Sequence, residues 1–141
     1  MNRREFLQHT GAACVAVGVG ACGDDPGCDT AELISANASE GLARVPSSAI
    51  ESGSVRVQVE GHKILLARLD SGEVAGVSWV CPHAGCTVCF EDGAQEFNCP
   101  CHGARFATDG RVTKGPAREA LREYPVSEAG GQLTIELTET P

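Results

Sequence analysis

Five of the eight cysteines fall within 21 residues, from Cys81 to Cys101, and two histidines, His83 and His102, are set among them. The segment reads Cys81-Pro82-His83-Ala84-Gly85-Cys86, then twelve residues, then Cys99-Pro100-Cys101-His102-Gly103. In a chain of 141 residues, such density implies disulfides, a metal site or both. A chain this short buries only a modest core, so a cross-link or a metal would help it hold a fold.

From residue 42 onward the pattern is one of short strands. Residues 54–60, Ser-Val-Arg-Val-Gln-Val-Glu, alternate polar and apolar, as a half-buried strand does. Gly61-His62 reads as a turn that leaves His62 solvated, followed by runs over 63–69 and 73–80 separated by Asp70-Ser71-Gly72. Glu91-Asp92-Gly93 and Asp109-Gly110 are further turn signals, and the runs 120–126 and 132–137 bracket Gly130-Gly131. The expected fold is all-β, a small antiparallel barrel or sandwich. Core candidates are Val55, Val57, Val59, Ile64, Leu66, Val77, Leu133 and Ile135.

The two cysteine loops each offer one Cys and one His. Thiolates suit iron, and imidazole nitrogens can replace two thiolates on one iron of a 2Fe–2S cluster. Structural zinc knuckles usually use Cys-x2–4-Cys spacing rather than Cys-x-His, and zinc would leave Cys86 and Cys101 without a role. The segment closely resembles the Rieske family, whose pattern is Cys-x-His in one loop and Cys-x-x-His in the other. The resemblance spans about residues 42–138, and the domain boundary is placed at 42–141. It implies one 2Fe–2S cluster per chain, with Cys81 and Cys99 on one iron and His83 and His102 on the other. Neutral imidazoles in place of thiolates make the reduced state less costly and raise the potential. Cys86 and Cys101 match the additional pair found in the branch resembling cytochrome bc complexes, where they form a disulfide tying the loops together. Lys114-Gly115-Pro116-Ala117 resembles the Gly-Pro segment that packs beside the cluster in that branch. Cys89 has no assigned role: a buried hydrophobe is one reading, and a bridge to Cys28 is a second that nothing in the sequence supports.

The chain departs from the quinol-oxidising relatives at tuning positions. There the second loop continues Cys-His-Gly-Ser-x-Tyr, with the Ser and Tyr hydroxyls donating to cluster sulfurs and raising the potential. This chain has Gly103-Ala104-Arg105-Phe106, and neither Ala104 nor Phe106 can donate. Ala84 stands where an apolar Leu commonly follows the first-loop His and helps docking.

The N-terminus reads as an address. Asn2-Arg3-Arg4-Glu5-Phe6-Leu7 resembles a twin-arginine export signal, and the mild apolar stretch over 10–21 fits a signal core. Val19-Gly20-Ala21-Cys22 resembles a lipobox, which makes Cys22 a candidate lipid anchor at the end of a 1–22 signal. Residues 23–41 then read as a flexible polar tether. The expected location is the periplasm or the outer face of the cytoplasmic membrane.

The net charge of −8 argues against a nucleic-acid partner. No nucleophile or acid–base pair stands apart from the cluster, so the chain alone reads as a carrier of single electrons rather than an enzyme. Its expected partners are redox proteins, such as a cytochrome or a larger oxidoreductase subunit. The alternatives are the iron–sulfur subunit of a quinol–cytochrome c oxidoreductase and the small subunit of a periplasmic molybdenum oxidase such as arsenite oxidase. A ferredoxin feeding an aromatic-ring oxygenase is disfavoured by the export signal and the additional cysteine pair.

Overall fold

The computed structural model describes residues 32–51, 53–82, 85–101 and 103–137. In chain order the strands are β1 (Glu32–Ser35), β2 (Ala38–Ser39), β3 (Leu42–Pro46), β4 (Ser54–Val59), β5 (His62–Arg68) and β6 (Val74–Ser78). They continue as β7 (Cys89–Glu91), β8 (Glu96–Cys99), β9 (Ala104–Phe106), β10 (Val112–Lys114), β11 (Val126–Ala129) and β12 (Gln132–Glu136). Two short 3₁₀ turns, Ser47–Ile50 and Asp92–Ala94, complete the regular structure among the described residues.

The strands form three four-stranded sheets, ordered β1-β4-β5-β6, β10-β9-β8-β7 and β11-β12-β3-β2. The all-β expectation holds. The alternation in β4 buries Val55, Val57 and Val59 and leaves Gln58 exposed. Val59 pairs with His62, so Glu60 and Gly61 alone make the turn, with φ of 48° and 84°. Two positive φ values in a two-residue loop match the right-handed twist of the strands they join.

Strand β5 explains why the sequence at 64–67 is an uninterrupted apolar run. Ile64 and Leu66 face one core, with Val55, Val57, Leu133 and Ile135. Leu65 and Ala67 face a second core, with Trp79, Phe97, Cys81 and Cys99. Both faces of β5 are covered, so no polar alternation survives. Truncating Leu66 to Ala, at a fully buried position, should cost about 2–5 kcal/mol.

Three expectations change. Residues 32–39, read as the end of the tether, form β1 and β2, so the folded unit starts ahead of residue 42. Strand β1 pairs in parallel with β4 at a sheet edge, Glu32 opposite Val55, and Leu33 stays exposed, so no periodicity betrays it. Residues 120–126, read as a strand, are irregular apart from a bridge between Val77 and Glu123. Pro125 has no N–H to offer a ladder, and regular pairing begins only at Val126. Finally, His62 is not solvated: it is buried at the start of β5, and its Nδ1 shares a 2.9 Å hydrogen bond with the Tyr124 hydroxyl.

Candidate metal centre

Two loops of matching construction carry the cysteines. Past β6, the Val88 N–H donates to Trp79 O at 2.7 Å, and Val80 bridges Thr87. The chain between them turns over at Cys81, whose N–H donates to Cys86 O at 2.8 Å. The second loop caps the β8–β9 hairpin, where Cys99 pairs with Ala104. Each loop opens Cys-Pro and closes on a glycine four residues after its cysteine. Gly85 N–H donates to Cys81 O at 2.8 Å, and Gly103 N–H donates to Cys99 O at 2.9 Å. Gly85 and Gly103 take φ of 70° and 76°, a left-handed conformation that a side chain would oppose. Proline at the second position has no N–H to satisfy inside so tight a turn.

Cys81 and Cys99 each retain only 1% of their exposure. Both carry thiols and belong to one core with Trp79, Phe97, Phe106 and Leu121. Cys86 and Cys101 form the expected disulfide, with Cα atoms 6.5 Å apart. It joins the two loops directly, and the Sγ atoms of Cys86, Cys99 and Cys101 all lie within 4.8 Å of one another. Disulfide sulfurs have no thiolate to give a metal, so Cys99 is the ligand candidate of that trio. His83, His102 and Ala84 lie outside the described residues, as does Cys22. The donor chemistry suits an iron–sulfur cluster: two thiols head two cross-linked loops, and each loop's sequence also carries a histidine.

The second loop's tuning positions are buried. Phe97 pairs with Phe106 and Cys99 with Ala104, so all four lie on the inner face of the β8–β9 pair. Ala117 is buried in the same core, whereas Pro116 is exposed. On the outer face, Arg105 forms an ion pair with Glu96 and lies 3.6 Å from Glu91, whose carboxylate also accepts from Asn98 Nδ2 at 3.0 Å. These half-exposed contacts tie β7, β8 and β9 together and contribute little each, about 0–1 kcal/mol. The Arg56 guanidinium lies over the Trp79 ring, 5.8 Å from its centroid.

One residue was misread. Cys89 is half-buried on β7 and is disulfide-bonded, not a buried hydrophobe. A count marks this cysteine as odd without saying whether it is bonded. With two metal thiols and one disulfide inside the segment, the fifth cysteine is odd, and three more precede residue 32.

The comparisons agree with this geometry. The family model described as the Rieske [2Fe-2S] domain matches residues 42–125. The cytochrome b6-f complex iron-sulfur subunit of Chlorobaculum tepidum is 31% identical over 97 residues, which cover 68% of this chain and 53% of that protein. The corresponding subunit of Synechococcus sp. is 46% identical over 55 residues, covering 38% of this chain and 32% of the other. The chain thus spans about half or less of the length of these curated relatives. Among solved structures, the plasma membrane Rieske protein of the cyanobacterium Synechocystis aligns with a TM-score of 0.58 at 29% identity, covering 64% of this chain and 94% of that one. The ferredoxin of carbazole 1,9a-dioxygenase from Nocardioides aromaticivorans shares the fold, with a TM-score of 0.59 at 23% identity over 67% of this chain and 94% of that one.

Proposed function

The chain belongs to the Rieske [2Fe–2S] domain family, and on that footing we propose that it is an exported, membrane-tethered carrier passing single electrons between redox proteins. Cys81 and Cys99 would hold one iron, and His83 and His102 the other. Such a 2Fe–2S cluster would supply one-electron chemistry. The chain's own residues fix the two loops: the Cys81 and Cys99 carbonyls accept from the Gly85 and Gly103 N–H groups, and the Cys86–Cys101 disulfide holds the loops together. The burial of both thiols withholds the cysteine side from water.

The observation that carries this reading is the pair of buried thiols heading two matched, cross-linked loops. Export and tethering are supported by the Arg3-Arg4 motif and by Cys22. Iron and sulfide analysis of purified protein should give two of each per chain, with a reduced-state electron paramagnetic resonance signal of low average g. Cys81→Ser and His102→Ala should each abolish the signal. Stoichiometric zinc, with no signal after anaerobic reconstitution with iron and sulfide, would refute the ligand assignment.

A second reading is favoured by the Chlorobaculum relative: the iron–sulfur subunit of a quinol-oxidising cytochrome complex. Co-purification with a b-type cytochrome from native membranes separates the two. The carrier reading expects the protein to leave those membranes without one.

A further inference from the structure

The odd cysteine on β7 has a partner outside the described residues. Cys86 and Cys101 are bonded to each other, and Cys81 and Cys99 carry thiols. Cys89 is nevertheless disulfide-bonded. The remaining cysteines are Cys14, Cys22 and Cys28, all ahead of β1. The export reading above narrows these to one. Cleavage before Cys22 removes Cys14, and lipidation turns the Cys22 sulfur into a thioether. We infer that Cys28 is the partner, so that a Cys28–Cys89 disulfide staples the tether to the cluster-bearing sheet. The inference rests on that export reading.

The place of attachment gives the staple a consequence. Cys89 pairs with Asn98 at the edge of its sheet and lines a surface cleft with Phe90, Asn98, Cys99, Pro100 and Arg105. The tether would therefore meet the domain beside the second cluster loop as well as at β1. Six peptide units separate Cys22 from Cys28, a reach of about 20 Å, whereas the ten from Cys22 to Glu32 span about 35 Å. The staple shortens the leash between the lipid and the domain and moves its point of attachment to the edge of the sheet beside the second cluster loop. Its formation removes two electrons and two protons from the Cys28 and Cys89 thiols. A dithiol-oxidising exchange protein of the exported compartment takes them up through a mixed disulfide and ends as a dithiol. Reduction of the staple would restore the longer leash.

The test uses full-length protein exported in its native host. It is alkylated in denaturant without reductant, then digested after acidic residues. Asp24 and Asp25 separate Cys22 from Cys28, and Asp29 follows Cys28; because the Asp25–Pro26 bond resists cleavage, the peptide Asp25–Asp29 identifies Cys28 uniquely. We expect this peptide joined to the peptide over 74–91, with fragmentation placing the bond at Cys89 rather than Cys81 or Cys86, and released by reductant. Cys28→Ser should expose one additional alkylated cysteine, Cys89, while the reduced cluster signal persists. Alkylated Cys28 and Cys89 in the unreduced wild type would overturn the staple, as would Cys89 joined to Cys22. The cluster signal of the same wild-type preparation reports separately on the electron-carrier reading, since loss of the staple alone leaves that signal in place.

Discussion

Ala104 stands directly opposite Cys99 in the β8–β9 pairing, and both side chains point into the buried core. Phe106 follows two residues on, on the same face, opposite Phe97. A hydroxyl introduced at either position therefore enters the buried environment of Cys99, the proposed ligand, rather than solvent. Hydrogen bonds to cluster sulfurs favour the more negative, reduced state. A bond worth about 1 kcal/mol more to the reduced state corresponds to about 40 mV for one electron. Ala104→Ser and Phe106→Tyr should each raise the potential by tens of millivolts, from a wild-type value low in the family range of about −150 to +300 mV. Voltammetry checks this, and a high wild-type potential unmoved by both changes would show that other groups set it.

The Cys86–Cys101 bridge is the covalent link between the two loops, and its sulfurs lie within 4.8 Å of the Cys99 sulfur. Replacing both cysteines by Ala leaves each loop with its own glycine-closed turn but removes the cross-link. The variant should bind iron and sulfide on reconstitution yet lose them faster than wild type during dilution or mild heating. Equal loss rates for the two proteins would assign loop integrity to packing alone.

What could be read from the sequence divides along physical lines. The β4 strand, with Val55, Val57 and Val59, was legible because one face is buried and the chain alternates to match, whereas Ile64 and Leu66 were legible only as members of an apolar run, since β5 is buried on both faces. The metal segment was legible by chemistry, through ligand spacing; strands β7, β9 and β10 are three residues each, too short for any periodicity to show. Strand β1 was hidden because it is held by backbone pairing at an edge, with its apolar Leu33 exposed. His62 was misread because a Gly beside a polar residue signals a solvated turn, whereas the turn closes one residue earlier and Tyr124 covers the ring from 62 residues away. The pairing state of Cys89 depends on contacts across the fold, which local sequence does not encode.

The His62–Tyr124 contact joins β5 to the segment before β11. The ring planes meet edge to face, with centroids 5.5 Å apart, in addition to the 2.9 Å hydrogen bond. Tyr124→Phe keeps the ring but strands the buried imidazole nitrogen, which should cost about 1–3 kcal/mol in urea unfolding. Gly76→Ala should disturb the same contact from the other side, because its Cβ would lie 2.6 Å from Tyr124 O. If Tyr124→Phe left stability unchanged, the hydrogen bond would carry no net energy.

The proposed export and the proposed tethering rest on separate residues. Arg3-Arg4→Lys-Lys should leave precursor inside the cell, whereas Cys22→Ala should permit export but release the domain from the membrane. Fractionation followed by mass spectrometry of the mature N-terminus distinguishes them. An unmodified Cys22 in mature protein would remove the lipid anchor and leave the export signal standing.

Arg68 and Glu128 link β5 to β11 through two parallel hydrogen bonds, Nη1 to Oε1 at 2.7 Å and Nη2 to Oε2 at 2.9 Å. The Arg68 guanidinium, followed by a smaller contribution from the Ser47 hydroxyl, lowers the Glu128 carboxyl from its ordinary 4.5 to about 2. A carboxyl whose pKa is lower in the folded state than in the unfolded state stabilises the fold above the unfolded value. That contribution disappears as pH falls through the folded value. The stability gap between wild type and Glu128→Gln should therefore be full above pH 4.5, shrink on acidification and close near pH 2. Both side chains are about one-third exposed, so the gap should be small and should narrow further in high salt. Urea unfolding across that pH window provides the measurement. A gap that stays constant from neutral pH to acid would mean that Glu128→Gln acts through packing rather than through charge.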